Sequence, residues 1–497
     1  MFFVHLSKLK ILMVASEAAP FAKAGGLGDV VSSLADSLAA LGHDVRVLLP
    51  LYFLIPQDLK QGFHPLPGVI SVHLGQEHWA RLWEFVPANG PRYYFIEYDH
   101  FFFRDRLYDG PYGGFEDNPQ RFAFLCRAAI DLPEFLQWIP DIYHVHDWMA
   151  ALVPVYLETV ARRGPLAHTG SVLTIHNLQH QGYAHQSIID YAGLPWGLWQ
   201  SDKLEACGGV NFLKGGIYFA NKLTTVSPTY AEEIRTPAFG CGLEDIFRFR
   251  GGDLVGILNG IDENLWNPAT DPTLPANYDR NNLEKKSLCK MNFCQQRFGD
   301  AKSDNRPLFV AISRLYAQKG LDVLADILPW VVETMSVRFA ILGCGEWLLE
   351  EHLASIAHRS PDRIWFYRGY DETLAHQMTA AADFFVMPSR FEPCGLTQLY
   401  SMRYGTLPIV HATGGLKDSV VSRAHGVERA TGFVFNDLTH QALYSAIGWA
   451  CATYYDHPSE ILTMRQNGMC RDFSWKQSSR RYLECYHWAM EKKMGFP

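Results

Sequence analysis

Lys23-Ala-Gly-Gly-Leu-Gly-Asp29 puts a cation and three glycines where a strand hands over to a helix. Glycine lets the main chain approach a ligand closely, and the N–H groups and dipole of a helix start favour an anion. Lys23 adds a full charge; the plainer alternative is a structural turn carrying an incidental lysine. Two familiar phosphate loops fail on detail. A Walker loop needs Gly-Lys-Ser/Thr, but here the lysine precedes the glycines, and the dinucleotide fingerprint needs Gly or Ala where Val31 stands. The next strand closes on Pro50 with no carboxylate for a ribose, which argues against a dehydrogenase.

Ser313-Arg-Leu-Tyr-Ala-Gln-Lys-Gly320 follows another strand-like run. Arg314 and Lys319 there suit a diphosphate, and solvated surface charge is the alternative for either one alone. Pro388-Ser-Arg-Phe-Glu-Pro-Cys-Gly-Leu-Thr397 sits past a third strand. The Glu392 carboxylate can accept hydrogen bonds from two adjacent sugar hydroxyls, and Gly395, Leu396 and Thr397 would offer amides to phosphate oxygens. Cys394 has no base placed beside it by sequence, so packing is expected rather than a thiol nucleophile. His144 and His146 share one face of a strand, and His176 and His180 would share a helical face. No further ligand cluster has metal-site spacing, so no metal is expected, and a strand-end histidine acting on substrate is the better reading.

These residues need large, layered elements to hold them. In 497 residues, 48% are hydrophobic and 19% charged, enough for two or three domains with large interiors. Forty-four Lys and Arg against 52 Asp and Glu leave a net charge of −8, which argues against nucleic acid but not against a small anion. Ten scattered cysteines without a Cys-x-x-Cys pair fit a reducing compartment. Met1 to Lys10 lacks the apolar core of a secretory signal, and no run reaches the roughly 20 apolar residues of a membrane helix. A soluble cytoplasmic protein is the expectation.

The continuous apolar run Lys10–Ala15 predicts a strand buried on both faces. Val30, Leu34 and Leu38 at helical spacing, stopped by Gly42, predict the helix after it, and Asp44–Pro50 the next strand. The aromatic stretch from Gln76 to Pro119, with Phe101–Phe103 and Tyr112, reads as a loop-rich insertion. A helix at Arg121–Ile130 and strands at Ile142–His146 and Ser171–Ile175 follow. Strands at Pro307–Ser313, Val337–Leu342, Ile364–Tyr367, Asp383–Met387 and Pro408–His411 alternate with helices such as Leu321–Val332 and Trp347–Ile356. The pattern predicts an α/β protein of two doubly wound parallel sheets, joined by the Asn-Gly- and Asp-Pro-punctuated stretch Ile257–Arg306. Gly-Gly-Leu-x-Asp occurs at Gly25–Asp29 and again at Gly414–Asp418, read as two solutions to one sharp turn.

Taken in order, these segments resemble the glycogen and starch synthases of the bacterial and plant type, retaining glycosyltransferases of family 5 with GT-B architecture. The resemblance runs from Lys10 to Trp475. It also rests on His146-Asp-Trp148, Thr174-Ile-His-Asn177, Asn211-Phe-Leu-Lys214, Thr225–Tyr230, Gly240-Cys-Gly-Leu243, Leu258-Asn-Gly-Ile-Asp262 and Phe391–Tyr400. It implies two Rossmann-like domains facing across a cleft, residues 1–257 on the acceptor side and 258–472 binding the sugar nucleotide. Residues 473–497 would return as a helix to the first domain. The implied reaction moves glucose from ADP-glucose to the non-reducing end of an α-1,4-glucan (glycogen, maltooligosaccharide or starch) with retention and without metal or cofactor. No nucleic acid or membrane partner is implied, and the location would be the bacterial cytosol, or the plastid stroma in a plant or alga.

Carried over by resemblance, the catalytic set is Lys23, His176, Arg314, Lys319 and Glu392. Donor contacts add Gly25, Gly26, Asn259, Tyr370 (stacking on adenine), Cys394, Gly395, Leu396 and Thr397. Asp147, Trp148 and Asn177 fall on the acceptor side. Many retaining GT-B enzymes carry a second glutamate eight residues after the first; Tyr400 stands there, as is usual within this family.

Overall fold

The computed structural model describes residues 8–110, 113–299 and 305–495. Tyr112 of the aromatic stretch and the first seven residues lie outside them. Two compact units emerge. One takes in the chain through Val226, Ala231–Gly260 and the chain from Trp475; the other comprises Ser227–Tyr230 and Ile261–Ser474.

In the first unit the parallel strands are β1 (Lys10–Val14), β2 (Asp44–Pro50), β4 (Arg92–Glu97), β5 (Ile142–His146), β6 (Gly170–Ile175), β7 (Lys222–Thr225) and β8 (Leu254–Gly256), with β3 (Gln76–Phe85) antiparallel. The spatial order is β8-β7-β6-β5-β1-β2-β4-β3, in a sheet of ten strands among the described residues. β5 and β6 are buried along their whole length, as strands covered by helices on both faces must be. Helix α1 (Gly26–Ala40) buries Val30, Leu34 and Leu38, and Gly42, at φ +97°, turns the chain out of it.

The aromatic stretch departs from its reading as a loop-rich insertion. β3 alternates, with His78, Ala80 and Leu82 inward, and β4 joins the sheet beside β2. Tyr93, Tyr94, Phe95, Phe101 and Phe102 are core, with Phe21 4.9 Å from Tyr93 and 5.0 Å from Phe95, while Trp79 and Phe103 are exposed.

The helix Trp475–Lys493 completes this unit. Ser479 Oγ meets Ser37 Oγ of α1 at 2.8 Å, Ser478 Oγ donates to the Leu258 carbonyl at 2.6 Å, and Tyr486 Oη lies 2.8 Å from His144 Nδ1 on β5.

The second unit holds six parallel strands among the described residues: β9 (Leu308–Ile312), β10 (Arg338–Gly343), β11 (Ile364–Arg368), β12 (Phe384–Met387), β13 (Leu407–His411) and β14 (Phe433–Phe435). Their order is β11-β10-β9-β12-β13-β14. Successive residues of β9 feed opposite cores. Phe309 and Ala311 pack with Leu321, Leu324 and Leu328 of helix α2 (Leu321–Thr334), while Leu308, Val310 and Ile312 pack with Met378, Leu399 and Met402. The punctuated connection anchors here as well. Trp266 stacks on Tyr400 at 3.9 Å, and Asp271 accepts from His376 and Tyr404.

Candidate active site

Each sheet reverses its winding once, β1/β5 in the first and β9/β12 in the second. Loops leaving the carboxyl ends of such strand pairs diverge and open a crevice, the usual ligand position in doubly wound sheets. Lys23, Gly25, Gly26, Asp147 and Trp148 follow β1 and β5, and Arg314, Lys319 and Glu392–Thr397 follow β9 and β12; His176 and Asn177 follow β6, Asn259 follows β8 and Tyr370 follows β11.

In the first unit, β1 runs on to Glu17, which is 4% exposed. Its Oε2 accepts the Ala24 N–H at 2.6 Å and the Gly25 N–H at 3.1 Å, and its Oε1 accepts the Tyr108 hydroxyl at 2.6 Å. Two amides of the glycine loop are therefore already taken by a carboxylate, contrary to the expectation of N–H groups open to an anion. What Gly25 offers instead is room. Its φ of −155° is open to any residue, yet a Cβ there would meet nothing within 4 Å. Gly26 opens α1. Lys23 Nζ pairs with Asp29 Oδ1 at 2.8 Å, both side chains partly exposed.

The ends of β5 and β6 are tied twice. Asp147 Oδ1 accepts the His176 N–H at 2.7 Å, and His146 Nδ1 lies 3.0 Å from His176 Nε2. Asp147 adopts φ +53°, a left-handed conformation that turns the chain sharply at the strand end. Burial pushes its carboxyl up to about 7 and the His176 imidazole down to about 3. Asn177 Oδ1 caps a turn by accepting the Gln179 N–H. That turn replaces the expected helix, so His176 and His180 share no helical face. Trp148 packs edge-on against Phe122 at 5.0 Å. Asn259 is buried, and its Oδ1 has no hydrogen-bond partner among the described residues.

In the second unit, Lys319 Nζ and Glu392 Oε2 meet at 2.6 Å, and Ser389 Oγ donates to the same oxygen at 3.1 Å. Glu392 is 5% exposed. Gly320, at φ +64°, lets the Lys319 turn pass under Pro388, whose carbonyl a Cβ would strike. Arg390 locks the two loops together: its N–H donates to the Gln318 carbonyl, Nη1 to the Ala317 carbonyl, and the guanidinium forks onto Asp322 at 2.7 and 2.6 Å. Arg314 is exposed, 5.9 Å from the Tyr316 ring, and Tyr370 is 68% exposed. Cys394 is buried, and Gly415, in the second Gly-Gly-Leu-x-Asp, lies so close that a Cβ there would strike the Cys394 carbonyl. The two echoes thus serve different ends, one leaving space and one filling it. Thr397 Oγ1 donates to Met387 Sδ at 3.4 Å, and Leu396 is partly buried.

Sequence reading missed Glu17, Tyr108 and the His146 contact. Glu17 and Tyr108 are 91 residues apart in sequence, and no local pattern announces that meeting. The described residues contain no group of three or more His, Cys, Asp and Glu side chains placed to hold a metal ion. The first unit thus carries strand-end imidazole and carboxyl groups, and the second a lysine set against an oriented carboxylate.

Residues 10–249 match the family model of the starch synthase catalytic domain, and 306–452 that of glycosyl transferases group 1. Glycogen synthase 1 of Geobacter sulfurreducens is 43% identical over 494 residues, 99% of this chain and 98% of its own. Glycogen synthase of Treponema denticola is 41% identical over 98% of this chain and 99% of its own. The catalytic domain of starch synthase IV from Arabidopsis thaliana, bound to ADP and acarbose, superposes with a TM-score of 0.89 at 33% identity, over 98% of this chain and 100% of that one. Sucrose-phosphate synthase from Thermosynechococcus elongatus shares the fold, at a TM-score of 0.59 and 17% identity over 97% of this chain and 98% of that one. Identity sustained along nearly the whole chain, on two doubly wound units of GT-B type, makes this a member of the glycogen and starch synthase family.

Proposed function

We propose that this chain transfers glucose from ADP-glucose to the non-reducing end of an α-1,4-glucan, with retention at the anomeric carbon. The observation that carries the reading is the block in which Arg390 ties the Lys319 turn to the Glu392 loop and sets cation against carboxylate. When the sugar–phosphate bond breaks, negative charge grows on the departing oxygen, and fixed cations there lower the barrier. Arg314 and Lys319 fill that role, joined by Lys23 once it exchanges Asp29 for phosphate. Glu392, aimed by Ser389 and Lys319, accepts from two glucosyl hydroxyls. Cys394, Gly395, Leu396 and Thr397 line the donor with main chain, Tyr370 stacks on adenine, and Gly25, Gly26 and Asn259 give the donor room and amide contacts.

His176 stands by the anomeric carbon, with Asp147, Trp148 and Asn177 toward the acceptor. No side chain is assigned as nucleophile; departure and attack share one face of the sugar, without metal or cofactor. The glucan is glycogen, maltooligosaccharide or starch. Among the described residues no helix is long and apolar enough to cross a membrane, and the working location is the cytoplasm. The ADP and acarbose bound by the starch synthase relative support the nucleotide and glucan assignments.

Purified protein incubated with radiolabelled ADP-glucose and glycogen, with UDP-glucose in parallel, tests this. Label should enter the polymer's outer chains from ADP-glucose. Label in a small glucoside, or ADP-glucose binding without transfer to any glucan, would reject the proposal.

A further inference from the structure

His146 Nδ1 and His176 Nε2, 3.0 Å apart at the ends of neighbouring strands, are within hydrogen-bond distance, so one nitrogen carries a proton and the other accepts it. The surroundings decide which. His146 is fully buried, and its Nε2 has no hydrogen-bond partner among the described residues. A proton there would strand a buried N–H, the rarer and costlier kind of orphan. His144 does not compete for it. That ring lies beside His146 at 4.2 Å, tilted by 41°, and spends its own nitrogens on Thr174 Oγ1 at 2.6 Å and Tyr486 Oη at 2.8 Å.

We infer that His146 is a positioning residue whose Nδ1–H donates to His176 Nε2 and holds His176 as the Nδ1-protonated tautomer. The second ring nitrogen of His176 is then a donor, matched to a sugar hydroxyl or a phosphate oxygen, and is closed to service as a base. Its use in transfer rests on the placement of His176 proposed above; the proton placement itself does not.

The test is a long-range proton–nitrogen correlation spectrum of protein carrying 15N-histidine, with His176 assigned by its disappearance in His176→Gln. The wild type should show protonated Nδ1 and bare Nε2. His146→Asn, whose amide can donate from nearly the same place, should keep that tautomer, and His146→Leu should lose it. In glucosyl transfer, His146→Leu should lower kcat about tenfold with donor KM little changed, and His146→Asn should restore most of the loss. A proton on Nε2 of His176 in the wild type overturns the inference, whether or not the leucine variant folds. So does an unchanged tautomer in a folded His146→Leu. If the proton is where we place it but His176→Gln transfers glucose at the wild-type rate, the catalytic placement of His176 fails and the proton assignment stands.

Discussion

Lys319 and Glu392 are 73 residues apart in the chain and 2.6 Å apart in the fold, both largely shielded from water. Removing either leaves its partner's charge poorly compensated, and on the proposed mechanism it does so beside the departing phosphate. Glu392→Ala should lower kcat by at least about a hundredfold, on the order of 3 kcal/mol of barrier, in a steady-state assay with glycogen. Near wild-type turnover would remove Glu392 from the site. Gly25 gives a cleaner separation of stability from binding. Since a methyl group there touches no protein atom, Gly25→Ala should melt within about 2 °C of wild type. The same methyl should reduce kcat/KM for the donor at least about tenfold by occupying ligand space. An unaltered kcat/KM would show that the room beside Gly25 is not used. Both residues were legible in sequence, because glycines and lone carboxylates at strand ends are conspicuous. Glu17 was not: a carboxylate holding its own loop looks like any other until Tyr108 arrives from far along the chain.

At the scale of elements, burial on both faces made β1 and β9 readable as apolar runs, while β5 and β6 carry His144, His146, Ser171 and Thr174 among their apolar residues. β3 and β4 were missed because their aromatics suggested a loop-rich insertion, whereas the period-two burial of β3, which is paired with strands on both sides, marks a strand covered on one face. The floor of the first unit, where β5 and β6 meet the helix Trp475–Lys493, is a polar network: Tyr486, His144, Thr174 and Thr224 are joined by bonds of 2.6–2.8 Å. Tyr486→Phe strips one partner from a buried imidazole and should cost about 1–3 kcal/mol in urea unfolding. Burial also drives the His144 imidazole down to about 3, while in the unfolded chain it titrates near 6.5. The unfolded state therefore binds the extra proton, and the stability from this ring is complete above about pH 6.5 and lost as pH falls toward 3. Over that window His144→Gln should flatten stability against pH by about 1.4 kcal/mol per pH unit relative to wild type. Parallel slopes for the two proteins would mean that His144 is already neutral in the unfolded chain or charged in the folded one.

At the scale of the whole molecule, the chain changes units at Val226/Ser227, Tyr230/Ala231, Gly260/Ile261 and Ser474/Trp475. A protein ended at Ser474 should therefore be damaged in the first unit rather than the second. Hydrogen exchange should show protection lost in β5 and β6 and kept in β9 and β12; equal loss in both sheets would contradict the division. The motif order and the two doubly wound sheets were visible in sequence. The loan of Ser227–Tyr230 to the second unit was not, because it rests on single bonds such as Ser227 Oγ to the Pro393 carbonyl. The returning helix also bears on biosynthesis. His144 finds Tyr486 342 positions downstream, so at ordinary translation speeds tens of seconds pass before the sheet receives its cover. Through that interval the nascent first unit carries an uncovered sheet face on which His144 lacks its Tyr486 partner, while the unit made after it can finish folding before it.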